Sequence, residues 1–423
     1  MTTFGRITFF LIVYSVLLGL QFLVFYTFRK FLKNKLKSKV LLNSVTIIPF
    51  VIFNIPFIWA IFNFLDFSSL PRWVFNYYIM PFFAFQGAML IISVYLLAGK
   101  IIKLAWNIPL FILKRFRVIK EKIEKLRTKK AVIQYDKSRR AFITAGATLV
   151  SGYAFIGAGL GVIGKDRYEI DYKDIKIKNL PQELNGTTIT LISDIHSGPY
   201  MDEDMMKEYC EVINSLKSDL IIIPGDLTNT KKTEIHPFTK AFRDLKAKNG
   251  VYGTLGNHDY FSDPDYIAGA VSNESPIKML RNQSEFITIN GKELCLIGVE
   301  DIRDSGAQRN NVIINYIDET IKKTDRKYLD MPKILLCHKP YMFRDITDRN
   351  IDLMLSGHTH GGQIVLAKLG NINLSIAATI SNLISGLYRE GNSNLYVSRG
   401  IGTVGFPLRL NCPPEVTQIK LTV

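Results

Sequence analysis

The sequence predicts an α-helical membrane region followed by an α/β domain. Three observations carry this. The N-terminal third holds long apolar, aromatic runs. From Arg167 onward, short apolar runs alternate with amphipathic stretches, as strands alternate with helices in an α/β core. Five of those apolar runs end in Asp, Asn or His, at the strand C-termini where α/β sheets build their sites. At 423 residues the chain is too long for one average domain. The division falls between a membrane region, 1–165, and an α/β domain, 166–423.

Residues 7–28 form an apolar run long enough to cross a bilayer, which needs about 20 residues. A second span lies within residues 40–65, where Pro49 and Pro56 imply kinks. A third lies within residues 74–99, with Trp73, Tyr77, Tyr78 and Tyr95 near its ends as interfacial residues. Residues 103–130 then turn basic and periodic, the pattern of a helix lying on or leaving a membrane surface, with a basic coiled segment that meets a partner as the alternative. A fourth apolar run, residues 142–164, is rich in Gly and Ala. Small residues there suit close helix packing. Directly before it, Ser138-Arg139-Arg140 resembles a twin-arginine export signal. Ordinary basic flanking charge gives the same topology.

The formal charge of +16 belongs to two loops. Residues 29–39 carry six Lys and Arg and no acid. Residues 100–140 carry fourteen against Glu121, Glu124 and Asp136. The rest of the chain is near neutral, so no nucleic-acid footprint is expected on the catalytic region. Basic loops face the cytoplasm. Four spans then put the N-terminus and everything after Lys165 on the outer face. The four cysteines, Cys210, Cys295, Cys337 and Cys412, form no CxxC pair and read as single thiols.

In the soluble part, residues 168–181 alternate and end at Pro181, as an opening strand does. Helices are expected over residues 201–216, 235–248 and 313–323. Residues 286–300 read as two strands about a turn at Asn290-Gly291. Closing strands are expected near residues 395–398 and 416–423.

The chemistry sits in the five clusters. ITLISDIH ends in Asp194 and His196, and LIIIPGDLTN carries Asp226. VYGTLGNHD ends in Asn257, His258 and Asp259. KILLCHKP carries His338, and IDLMLSGHTHGGQ carries His358 and His360. Five of the six histidines lie here, and His236 stands apart as a structural residue. Turn or cap roles for Asp194 and Asp226 would have to hold at five strand ends together. Hard oxygen ligands with neutral imidazoles suit Mn, Fe or Zn. Two such ions about 3.5–4 Å apart can share a hydroxide and clamp the oxygens of a phosphoryl group. Arg399 and Arg409 are candidates for binding a substrate phosphate, with a structural ion pair equally open for each.

The order DxH, GDLTN, GNHD, CHKP, GHTHGGQ resembles the calcineurin-like metallophosphoesterase superfamily over about residues 170–423. LPQELNGTTITLISDIHSGP, GHTHGGQ and YVSRGIGTVGFPLRLNCPPEV are similar to its membrane-associated or twin-arginine-exported bacterial phosphodiesterases. The resemblance implies two facing mixed β-sheets flanked by helices, and two divalent cations. Asp194, His196, Asp226 and His360 would hold the first. Asp226, Asn257, His338 and His358 would hold the second, with Asp226 bridging. His258 would face the phosphate, and Asp259 would orient its imidazole.

The expected function is a membrane-anchored, metal-dependent phosphoric ester hydrolase of the bacterial cytoplasmic membrane. Attack by a metal-bridging hydroxide would cleave an envelope or lipid-linked phosphate ester, with the lipid bilayer as its other partner. One alternative is a membrane module whose phosphoesterase-like domain binds a ligand or partner without turnover. Another is a UDP-acylglucosamine-type pyrophosphatase, if the domain is cytoplasmic. Metal content and hydrolysis of an aryl phosphodiester separate enzyme from binder.

Overall fold

The computed structural model describes residues 3–63, 70–113, 115–116, 121, 125, 130–164, 166–302, 308–324, 331–369, 372–375 and 377–423. They form two compact units, Met1–Val162 and Ile163–Val423.

The first unit is helical. Four helices are long and apolar enough to cross a membrane: Leu11–Lys33, Lys39–Trp59, Tyr77–Pro109 and Gly146–Ile163. These match the four expected runs, with two differences. The second run breaks at Phe53-Asn54 between Lys39–Ile52 and Ile55–Asn63, so Pro56 starts a new helix and Pro49 stays inside the old one. Proline is tolerated in a first turn because its missing N–H has no partner there anyway. A network of carboxamides meets the break and satisfies the Phe53 carbonyl. Gln86 Nε2 donates to Phe53 O at 2.7 Å, Asn54 Nδ2 to Gln21 Oε1 at 2.8 Å, and Gln21 Nε2 to Gln86 Oε1 at 2.7 Å.

The second difference is that the third helix runs on from Met80 to Leu113, through the start of the expected surface helix. Residues 114, 117–120, 122–124 and 126–129 of that basic stretch lie outside the described residues. The Arg139-Arg140 pair lies within one continuous helix, Lys130–Ile163. Large apolar side chains such as Ile12, Phe22, Ile102 and Leu149 stay exposed on this unit, as lipid-facing residues do.

The second unit holds two six-stranded mixed sheets. The first has the order β1 (Glu169–Lys176), β14 (Glu415–Thr422), β2 (Thr188–Leu191), β3 (Leu220–Pro224), β4 (Val251–Thr254), β5 (Ile277–Met279). The second has the order β12 (Gly386–Glu390), β13 (Ser393–Val397), β9 (Leu353–Ser356), β8 (Lys333–Cys337), β7 (Lys292–Val299), β6 (Gln283–Ile289). Within each, the central strands β2-β3-β4 and β13-β9-β8-β7 run parallel. A separate ribbon pairs β10 (Val365–Leu369) with β11 (Ile372–Ser375).

Strand period sorts the layers. Leu220 and Ile222 join Leu294, Leu296, Ile334, Leu336, Leu353, Leu355 and Tyr396 between the sheets. The alternate residues Ile221 and Ile223 pack under the helices Glu203–Ser215, Ile235–Ala241 and Pro264–Glu274. Ile297, Leu335, Met354 and Leu395 pack under the helix Arg309–Lys323. Strands buried on both faces read as continuous apolar runs, as they do here. Each fully buried Ile or Leu contributes roughly 1.5–3 kcal/mol. The helices are capped as their sequences ask. Asp202 accepts the Met205 N–H at 3.0 Å, and Asp263, followed by Pro264, accepts that of Tyr266 at 3.2 Å. Asn290 and Gly291, both at positive φ, make the expected β6–β7 turn. The expected helix over 235–248 stops at Ala241. His236 lies on it, with Nε2 2.8 Å from Tyr266 Oη.

Candidate metal centre

The parallel strands of both sheets end at one place. Loops after β2, β3 and β4 bring Asp194, His196, Asp226, Asn257, His258 and Asp259. Loops after β8 and β9 bring His338, His358 and His360. Asp194, His196 and His360 place a ligand atom each within 4.8 Å of one another, and so do Asp226, His338 and His358. A third set of His196, Asp226 and His258 overlaps both.

The local backbone aims these side chains inward. Asp194, His196, Asp226, His358 and His360 all have φ between 49° and 72°. That left-handed region is strained for residues with a Cβ, and such strain collects at functional sites. The chain turns sharply as it leaves each strand and points the side chain back over the sheet edge. Two glycines permit the close approach. A Cβ on Gly256 would lie 2.2 Å from Asp226 Oδ1, and one on Gly357 would lie 2.2 Å from Asp194 Oδ2.

Asp226 Oδ2 lies 3.1 Å from His338 Nε2 and 3.6 Å from His196 Nε2. Asp194 Oδ1 lies 3.6 Å from His360 Nε2 and 4.0 Å from His338 Nε2. The Nε2 atoms of His196 and His360 converge at 3.0 Å. His338 donates Nδ1–H to Pro224 O at 2.8 Å, which fixes its tautomer and turns Nε2 toward Asp226. Asp194 accepts the Ser193 hydroxyl at 2.5 Å and the His358 N–H at 2.9 Å.

Burial sets the protonation of the cluster. Desolvation holds His196 and His358 well below the usual imidazole range and takes His360 down to about 4. Burial would lower His338 too, but the Asp226 carboxylate beside it lifts its pKa to about 10. Burial works against ionising Asp226, and the neighbouring histidines, His338 first, still hold it well below the carboxylate range. Neutral imidazoles and an ionised Asp226 carboxylate are the forms that bind cations.

The residues fit a pair of divalent cations. Asn257 Oδ1 is buried with no hydrogen-bond partner among the described residues, and so is His196 Nδ1. A buried amide oxygen without a donor is costly unless something else coordinates it. Asp194, His196 and His360 belong to the first donor set expected from the sequence, and Asp226, His338 and His358 to the second.

A family model for calcineurin-like phosphoesterases matches residues 187–362. A protein of Aquifex aeolicus (strain VF5), named an uncharacterized metallophosphoesterase, is 30% identical over 256 residues, covering 58% of this chain and 89% of its own length. This chain belongs to the calcineurin-like metallophosphoesterases. It is also 30% identical to an uncharacterized metallophosphoesterase of Helicobacter pylori (strain J99 / ATCC 700824), over 61% of this chain and 65% of that one. A Bos taurus relative, named a transmembrane protein with metallophosphoesterase domain, is 30% identical over 59% of this chain and 56% of its own. The match thus spans less than two thirds of the Helicobacter and cattle proteins.

Within this metallophosphoesterase site one sequence expectation changes, and the alternatives left open for Arg399 and Arg409 resolve to structural roles. Asp259 does not orient His258. Its buried carboxylate accepts the backbone N–H of Gly256 at 2.9 Å, of Leu227 at 3.1 Å and of Thr228 at 2.9 Å, and the Thr228 hydroxyl at 3.0 Å. It ties the loop after β3 to the loop after β4, because the orphan amides of those turns outcompete a ring pointing the other way. His258 instead sets Nδ1 against Asn229 O at 2.5 Å. Arg399 does not face the cluster as a free cation; it pairs with Glu415, and with Glu169 at 3.0 Å. Arg409 is buried against backbone carbonyls of Arg399, Gly400, Gly402 and Cys412, with Nη2 3.5 Å from His360 Nδ1. Both arginines hold the loop that wraps Asp194.

Asn229, Pro224 and Ser193 are the supporting residues that the motifs did not reveal. Asn229 and Pro224 act through main-chain carbonyls, which leave no trace in residue type. All four cysteines are free and buried.

Proposed function

We propose that this chain is a membrane-anchored dimetal phosphodiesterase or phosphatase. Residues 1–165 anchor it in a bacterial cytoplasmic membrane, and residues 166–423 hydrolyse an envelope or lipid-linked phosphate ester on the outer face. One observation carries the reading: two ligand groups, Asp194/His196/His360 and Asp226/His338/His358, meet around buried Asp226 with the unpartnered oxygen of Asn257 beside them. Four membrane-competent helices and the name of the cattle relative support the anchor.

Divalent cations of the Mn, Fe or Zn type, held by those residues, supply charge neutralisation on phosphoryl oxygens and a water of lowered pKa. The protein supplies the rest. Asp226 and Asp194 keep the cluster anionic enough to hold cations and fix its geometry. The backbone carbonyl of Asn229 keeps a proton on His258 Nδ1, so Nε2 is the ring atom left to pass a proton to the leaving oxygen. Left-handed turns and buried neighbours keep the side chains preorganised. The products are an alcohol and a phosphate or phosphomonoester.

The test uses the full chain purified in detergent and loaded with Mn, Fe or Zn. Bis(p-nitrophenyl) phosphate should be hydrolysed with two metals bound per chain. Two bound metals without turnover would favour a ligand-binding module instead. A reporter fused after Val423 should read the outer face. A cytoplasmic readout would move the substrate to a cytoplasmic class such as a nucleotide-linked pyrophosphate.

A further inference from the structure

Among the described residues no carboxylate pairs with Arg309, which stands one aromatic ring away from the ligand cluster. It opens the helix Arg309–Lys323. Its guanidinium carbon lies 5.6 Å from the centroid of the Tyr341 ring. Tyr341 in turn meets His358 edge-on, with centroids 5.5 Å apart and planes at 84°. Arg309 is half-buried, and its Nε is sealed from solvent with no hydrogen-bond partner among the described residues. Three other arginines of the domain are neutralised by carboxylates. Arg281 holds Glu300 and Asp265, Arg349 holds Asp318 and Asp348, and Arg399 holds Glu415 and Glu169. The buried Asp301 carboxylate is taken by Lys339 at 2.5 Å.

A half-buried guanidinium held over an aromatic face suits a planar or tetrahedral oxyanion. It is not placed where His258 is. His258 packs against His196, with ring centroids 4.6 Å apart, whereas Tyr341 packs against His358. The two flank different histidines of the cluster.

We propose that Arg309, braced by Tyr341, is a subsite for a second phosphate group of the substrate, one that is not cleaved. The inference rests on the phosphoester-hydrolase reading. It makes the preferred substrate a phosphate ester bearing a further phosphate within reach of the scissile one.

The experiment uses the full, metal-loaded chain and a matched pair of esters: thymidine 5′-(p-nitrophenyl phosphate) with and without a 3′-phosphate. The native chain should show a kcat/KM about 10–100-fold higher on the 3′-phosphorylated ester, the range of a charge-assisted hydrogen bond. Arg309→Ala should abolish that preference while changing the rate on the unphosphorylated ester by less than about threefold, as a variant that spares the scissile phosphate must. Arg309→Lys should keep part of it. No preference in the native chain, or an equal loss on both esters in Arg309→Ala, would overturn the subsite. Native protein inert on both esters would sink the hydrolase reading instead. Calorimetric binding of the two esters to native and Arg309→Ala protein would then decide the subsite by itself, with equal affinities counting against it.

Discussion

The backbone N–H of His258 donates to Asp226 Oδ1 across 2.8 Å. The other oxygen of that carboxylate faces His338 and His196. One side chain thus stands between the ligand groups and also fixes the start of the GNHD turn. Asp226→Asn should strip most bound metal and drop hydrolysis to background. Metal analysis with a rate on bis(p-nitrophenyl) phosphate checks it, and two retained metals with near-native turnover would contradict the assignment.

His258→Asn should keep the fold and both metals and slow hydrolysis by about 10²–10⁴-fold, the usual contribution of a positioned acid. The loss should shrink when the leaving group is nitrophenolate, which needs little protonation. An equal loss on good and poor leaving groups would leave charge stabilisation as the role. Loss of metal would make His258 a ligand.

Gly256→Ala changes no ligand, yet its Cβ would lie 2.2 Å from Asp226 Oδ1. It should reproduce the metal loss of Asp226→Asn. Gly269→Ala is the control. It sits in the helix Pro264–Glu274 with open space around it, and should stabilise by about 0.5–1 kcal/mol. Thermal unfolding and metal content of both variants decide the matter.

Stability of the chelated protein should peak near pH 6.5. His196, His358 and His360 have depressed folded pKa values, the last about 4. The unfolded chain therefore binds more protons below 6.5, and stability falls as pH falls from there toward 4. Asp259, raised to about 6 by burial and by the Asp226 charge, opposes this over part of the window, one group against three. His338 is raised to about 10, so the stability it contributes is present below 6.5 and is lost as pH rises through 10. Urea midpoints between pH 4 and 10 test it. Asp226→Asn should remove the alkaline decline, and a decline unchanged in that variant would mean another group causes it.

Much of the site was legible because its chemistry demands side chains of particular types at strand ends. Asp194, His196, Asp226, Asn257, His338, His358 and His360 all fall around one cluster. What supports them was not legible. Asn229 and Pro224 contribute main-chain carbonyls, which any residue offers. Asp259 follows a candidate acid in GNHD and so invites a dyad, but backbone amides claim its carboxylate first. Arg309 gave no signal, since its place beside Tyr341 depends on how the helix Arg309–Lys323 packs on the second sheet. In the fold, buried strands and the Asn290-Gly291 turn declared themselves. The ribbon β10–β11 and the edge strand β12 did not, because half-exposed strands lack a continuous apolar run. The helix Met80–Leu113 outran its apolar stretch because Lys100 and Lys103 have good helix propensity and extend it at no cost.

The candidate ligand atoms come from the ends of two separate sheets, which would give bound cations a second office. They would act by mass action as a ligand of the native state alone. At a free concentration near 100 times Kd, one such ion adds about 2.7 kcal/mol to the folding equilibrium. The seam between the sheets would then be held in part from outside the polypeptide. When metal is scarce the domain should open more often at that seam, and proteases should find it there first. Its lifetime in the cell would then follow the metal supply as closely as its activity does.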